Sequence, residues 1–96
     1  MKNVYVIGVF DLFHFGHVEL LRRAKELGDR LIVAINGDEM VASYKRRPFL
    51  SEQDRLEVVK ACRYVDDAFI IHEYDNKEYI KKYDIDIIVH GDDWDG

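Results

Sequence analysis

Ninety-six residues amount to one domain, residues 1–96, long enough for a modest core but short for an enzyme with a closed site. With 48% hydrophobic and 34% charged residues the composition is globular, and no apolar run approaches the roughly 18 residues that a membrane span needs. The net charge of −5 argues against a broad electrostatic grip on nucleic acid, while local cations can still hold one anionic ligand.

The predicted elements alternate. Val4 to Ile7 reads as a first strand rather than a signal peptide, so a cytoplasmic home is expected. A helix follows from about His17 to Leu27, with Leu20, Leu21, Ala24 and Leu27 on one face and Gly28 as its stop. Leu31 to Ile35 is the second strand. Asn36, Gly37 and Asp38 form a turn and cap before a short helix, Glu39 to Ser43, that breaks down towards Pro48. Ser51 opens the next helix, with Asp54 three residues on resembling a capping box and Leu56, Val59 and Cys62 as its buried stripe. Phe69 to Ile71 reads as a strand, Lys77 to Tyr83 as a short helix and Ile85 to Val89 as the last strand. This βαβαβαβ order predicts an α/β fold, a Rossmann-like, doubly wound parallel sheet with helices on both faces. Cys62 stands alone, which leaves no internal disulfide and no cysteine-rich zinc site.

Doubly wound sheets bind ligands beyond the carboxyl ends of their strands. The stretch "GVFDLFHFGH" lies at such an end. Gly8 allows a ligand close to the backbone, and the helix entered at Gly16 and His17 offers unpaired N–H groups and a positive dipole end. His14 and His17 could point at the same phosphate, whereas Phe10, Leu12, Phe13 and Phe15 read as core and loop packing. Two histidines three apart are a possible start of a metal site, but no third ligand has convincing spacing, and no protein-held metal is expected. Further cations stand in "YKRRP", where charged loops are usually solvated but could close over phosphates.

"GVFDLFHFGH" resembles the GxFDxxHxGH signature of the cytidylyltransferase family, and "RPFLSEQDR", "CRYVDD" and "GDDWDG" each fall where that family's pattern places them. The match covers nearly the whole chain and is most similar to the branch that makes CDP-glycerol for teichoic acid synthesis. The choline- and ethanolamine-phosphate branches share the earlier motifs. The resemblance implies transfer of a cytidylyl group from CTP to an alcohol phosphate such as glycerol 3-phosphate, with release of pyrophosphate. It implies His14, His17 and Lys45 as catalytic residues and Arg46 as an assistant. Backbone at Gly8, Val9 and Phe10 would meet the nucleotide, Arg63 and Asp66 would read cytosine, Gly91 would also line the nucleotide site and Asp93 would reach the ribose. Arg55 would reach the alcohol-phosphate, and Asp38 its hydroxyls unless it caps a helix. Asp11 would fix its loop or, less directly, touch substrate. Mg2+ would ride on the phosphates, and a homodimer is implied, bordered by "CRYVD" and the HxGH region. Val9 replaces a Thr common in relatives, and Tyr44 supplies no cation where the glycerol-phosphate branch has one, which shifts the register of the lysine loop.

Family members continue beyond "GDDW" to an "RTxGISTS"-like phosphate clasp that is absent up to Gly96, so a truncated C-terminus is expected. Two other readings stay open: a different HxGH nucleotidyltransferase using ATP, and a non-catalytic nucleotide-binding module.

Overall fold

The computed structural model describes residues 1–73 and 75–90. Four parallel strands lie in the order β3-β2-β1-β4, with β1 at Asn3–Gly8, β2 at Arg30–Asn36, β3 at Asp67–Ile71 and β4 at Ile87–His90. Helices α1 (Phe15–Glu26), α2 (Asp38–Ala42), α3 (Glu52–Lys60) and α4 (Lys77–Lys82) form the crossovers. β1 and β2 are buried on both faces, as near-continuous runs of Val, Ile and Leu in a parallel sheet require.

Alternation along these strands feeds two cores. Val4, Val6, Leu31, Val33 and Ile35 pack with Leu21 and Ala24 of α1 and Val59 of α3. Tyr5, Ile32 and Ala34 pack with Met40 of α2 and with Tyr79 on the opposite face. The sheet is therefore covered on both sides, as the alternating pattern predicts. Burial pushes the Tyr5 hydroxyl well above the usual tyrosine range, and it donates to Asn76 Oδ1 at 2.9 Å.

Three boundaries move for identifiable reasons. α1 begins two residues earlier than the apolar pattern suggests, so its buried face is His17, Leu21 and Ala24, while Leu27 caps the C-terminus and is exposed. Gly28 follows because a Cβ there would meet the Lys2 carbonyl at 2.7 Å and Val4 Cγ2 at 2.8 Å. The last strand starts at Ile87 rather than Ile85 because α4 ends in a Schellman arrangement: Ile85 N donates to Ile80 O, and Asp84 N to Lys81 O. Asp84 takes the left-handed position there, with φ 55°. Ser51 caps α3 by accepting from Asp54 N at 3.2 Å, as its spacing predicts.

Chain order runs β1, β2, β3 in one direction and then returns to place β4 on the other side of β1. The strand order thus reverses beside β1, between β2 and β4, and such a switch point is where doubly wound sheets bind ligands.

Candidate active site

The loop leaving β1 lies at this switch point. Phe10 and Leu12 both have left-handed backbone, at φ 55° and 50°. For residues with a Cβ this costs on the order of 1–2 kcal/mol each. The turn at Phe10 drives its side chain into the core, where it is fully buried, and leaves Leu12 exposed. Leu12 and Phe15, expected as packing residues, are in fact 54% and 74% exposed.

The H-x-G-H spacing has a local physical cause. His14 is the N-cap of α1 and its Nδ1 accepts from Gly16 N at 2.9 Å. His17, at the third helical position, accepts through its own Nδ1 from His14 N at 3.1 Å. The two rings thus form a reciprocal capping box, a job usually given to Ser or Thr with Glu or Gln. Gly16 lies beneath the first ring, where a Cβ would come within 2.7 Å of His14 Cε1. The ring centroids lie 4.2 Å apart, with Phe13 stacked on His17 at 5.3 Å and Phe10 at 5.5 Å. His17 is buried and His14 exposed.

A clasp of charged side chains holds this loop to the segment before α3. The Asp11 carboxylate accepts from Phe49 N at 2.7 Å and Leu50 N at 2.9 Å. From the other side Arg55, fully buried, donates to the carbonyls of Leu50, Val9 and Asn36 and to Asp38 Oδ1. Asp38 and Glu52 exchange bonds between two helix starts: Asp38 N donates to Glu52 Oε1 and Glu52 N to Asp38 Oδ2. Arg55 was expected at the acceptor's phosphate. In this structure the side chain is interior, and each of its guanidinium nitrogens serves chain carbonyls or Asp38. Asp11 is the loop-fixing residue of the two alternatives, and the Asp38 carboxylate caps α3 rather than its own helix.

Beside the clasp lies a cavity of about 190 Å³ lined by Val9, Asp11, Val41, Lys45, Arg46 and Phe49, among others. Lys45 is half-buried and has no ion pair among the described residues. Arg46 lies over the Phe49 ring at 5.0 Å, and Arg47 pairs with Glu39. Lys45 and Arg46 are therefore the cations left to meet an anion in this cavity. Gly8 ends β1, and Val9 and Phe10, both buried, follow it into the loop.

Asp66 is not brought to this site. It precedes β3, at the amino edge of the sheet, where its Oδ2 accepts from Leu31 N at 2.7 Å and from Lys25 Nζ at 2.5 Å. Lys25 stands eight residues along α1 from His17, on the order of 12 Å at 1.5 Å per residue. A base held near His17 is thus out of reach of the Asp66 carboxylate in the same chain. Partial burial alone would raise that carboxyl, but the Lys25 hydrogen bond, the Leu31 N–H and the Lys25 and Arg30 charges outweigh it and hold it below the usual range. Arg63 is exposed and folds over its neighbour, with Nη2 3.2 Å from Tyr64 Oη. It borders an apolar cavity of about 280 Å³ between α1 and the end of α3, with Phe13 and Val18 on the far wall. Gly91 and Asp93 lie outside the described residues. Two features were missed in the sequence: the helix-capping role of the histidines and the buried role of Arg55.

Residues 5–95 match the family described as Cytidylyltransferase-like, and the chain belongs to that family. It is 41% identical to a glycerol-3-phosphate cytidylyltransferase of Bacillus subtilis (strain 168), over its full length and 75% of that protein. It is 44% identical to an ethanolamine-phosphate cytidylyltransferase of Dictyostelium discoideum, across 95% of this chain and 26% of that one. It is also 48% identical to an FAD synthase of Pyrococcus abyssi (strain GE5 / Orsay), across 97% of this chain and 64% of that one. The chain thus spans about three quarters of the first relative and about a quarter of the second. Among solved structures, the lipopolysaccharide core biosynthesis protein of Thermoplasma volcanium GSS1 superposes with a TM-score of 0.85 at 34% identity, covering 92% of this chain and 72% of that one.

Proposed function

We propose that this chain carries the nucleotide site of an enzyme that transfers a cytidylyl group from CTP to an alcohol phosphate, with glycerol 3-phosphate as the first candidate, giving CDP-glycerol and pyrophosphate. The observation that carries this reading is one loop at the switch point of the sheet that leads into the histidine-capped start of α1 and, through Val9 and Asp11, shares a cavity with two cations, Lys45 and Arg46. Glycerol-3-phosphate relatives that align over the whole chain support that acceptor as a candidate.

In this reaction an oxygen of the acceptor phosphate attacks the α-phosphorus of CTP. A new P–O bond forms in line as the α–β bridging bond breaks, and pyrophosphate leaves with that electron pair. The nucleophile is already an anion, so neither a protein nucleophile nor a general base is required. The protein's part is alignment and stabilisation of charge over the phosphates. His14 and His17 donate hydrogen bonds to phosphate oxygens, Lys45 and Arg46 offset the negative charge, and the backbone of Gly8, Val9 and Phe10 lies along the nucleotide.

Asp11 and Asp38 are both committed to N–H groups or to Arg55, so neither is offered to a metal ion in this conformation. Mg2+ fits the site as a companion of the triphosphate, held by phosphate oxygens and water. No step above is routed through it. A cytoplasmic homodimer completes the reading, supported by the exposed apolar side chains of Leu12, Phe15 and Val58 around α1 and α3. Light scattering of the purified chain tests it.

A second reading is adenylyl transfer, favoured by the 48% identity to the FAD synthase. Pyrophosphate release would be assayed with CTP or ATP against glycerol 3-phosphate, ethanolamine phosphate, choline phosphate and FMN, with products identified by mass spectrometry. CDP-glycerol is the expected product. FAD would favour the second reading, and nucleotide binding without product would leave a binding module.

A further inference from the structure

We infer that His14 and His17 meet phosphate as neutral rings protonated at Nε2, so that they supply direction rather than charge; only the phosphate part of this statement rests on the function proposed above. Both Nδ1 atoms are already committed as acceptors, His14 to Gly16 N at 2.9 Å and His17 to His14 N at 3.1 Å. A nitrogen that accepts an N–H carries no hydrogen of its own, so in the neutral ring the single proton sits on Nε2. A proton added at Nδ1 would set one N–H against another and open the cap. With ring centroids 4.2 Å apart, two imidazolium ions would also face each other directly.

The capping box therefore selects the tautomer. The bonds that begin α1 thus place the single proton of each neutral ring at Nε2. The positive charge that a triphosphate requires has to come from elsewhere, and Lys45 and Arg46 line the cavity beside Val9 and Asp11 of the same loop. The H-x-G-H spacing thus joins two tasks, helix capping through Nδ1 and phosphate donation through Nε2, in each of two side chains.

The two tasks are separable by substitution at His14. Asparagine places its carbonyl oxygen close to the Nδ1 position and is a strong N-cap, but it has nothing at Nε2. Glutamine can extend an amide N–H to about the Nε2 position but fits the cap poorly. Two measurements test the inference. On the unmodified chain, long-range proton–nitrogen correlation spectra at about pH 8, above the ordinary imidazole range, should show both rings with Nδ1 bare and Nε2 protonated. A protonated Nδ1 on either ring would overturn the inference. In pyrophosphate release with CTP and glycerol 3-phosphate, His14→Asn should keep the parent's melting temperature and lose turnover by about 100-fold or more. His14→Gln should melt earlier yet turn over faster than His14→Asn. Turnover in His14→Asn equal to or above that of His14→Gln would also overturn it. The spectra need neither turnover nor nucleotide, so failure of the transferase reading and failure of this tautomer assignment are seen separately.

Discussion

At the amino edge of the sheet, charged side chains close on the chain itself. Asp29 accepts from Lys2 N, the Lys2 carbonyl accepts from Asp29 N and Arg30 N, and Asp66 joins Lys25 to the start of β2. At the carboxyl edge the same chemistry appears once more, in Asp11, Asp38 and Arg55, but a further layer stands on it. His14, Lys45 and Arg46 stand at this edge, Arg46 over the Phe49 ring and Lys45 with no ion pair among the described residues. A polar cluster on its own therefore does not mark a site. What distinguishes the carboxyl edge is a saturated inner layer that holds unsaturated donors in place.

The largest expected effect comes from removing the inner layer. Arg55→Met should cost about 3–5 kcal/mol, because three carbonyls lose a donor and the Asp38 carboxylate loses its buried partner. That is a large share of the roughly 5–15 kcal/mol that holds a typical domain together. Arg55→Lys should recover only part of it, since an ammonium cannot span four acceptors in one plane. Urea unfolding followed by circular dichroism gives the number. A loss under about 1 kcal/mol with a raised KM for the alcohol phosphate alone would return Arg55 to substrate binding.

The outer layer should respond in rate rather than stability. Lys45→Gln removes a half-buried cation with no ion pair among the described residues, and turnover should fall by about 100-fold with little change in melting. Arg47→Gln is the internal control, because Arg47 is already paired with Glu39. Its effect should stay within a few-fold, as expected for an exposed pair. Equal losses from both would mean that the whole loop acts as a diffuse positive field. Between the layers, Asp11→Asn keeps the shape but weakens two charge-assisted bonds to Phe49 N and Leu50 N, costing about 1–2 kcal/mol. Faster proteolysis within residues 44–50 would register the release of that segment.

The sheet was legible because each strand is an apolar run bounded by turn residues, and the alternation of periods sets parallel topology. The site was legible in outline from the glycine- and histidine-rich turn after the first strand. The helix start was not, since histidine is an uncommon N-cap and the apolar stripe seemed to begin at His17. The burial of Arg55 was hidden for a similar reason: an arginine beside Leu56 reads as a surface neighbour, and only the carbonyls that converge from β1 and β2 make it an interior residue. Asp66 stands immediately before β3, which begins at Asp67 rather than Phe69. A residue just before a parallel strand lies at the amino edge, away from the ligand crevice.

That last point gives the smallest and sharpest test. The Asp66 carboxyl is held below its ordinary range in the folded chain, so its ionised form is worth more folded than unfolded. The stabilisation is fully present above the unfolded carboxylate pKa, about 3.9, and is lost as pH falls through the lower folded value. Asp66→Asn keeps an acceptor for Leu31 N but loses the pair with Lys25. With the Asp66 side chain 39% exposed, solvent screens that pair, and the loss at neutral pH should be about 1 kcal/mol or less. Parent and variant should converge in stability below about pH 4, in a series of urea unfolding curves taken at falling pH. The preference for CTP over UTP, measured by calorimetry, should be the same in both. A preference that collapses in Asp66→Asn while stability holds would mean that this edge does reach a base, through an arrangement that a single chain does not make.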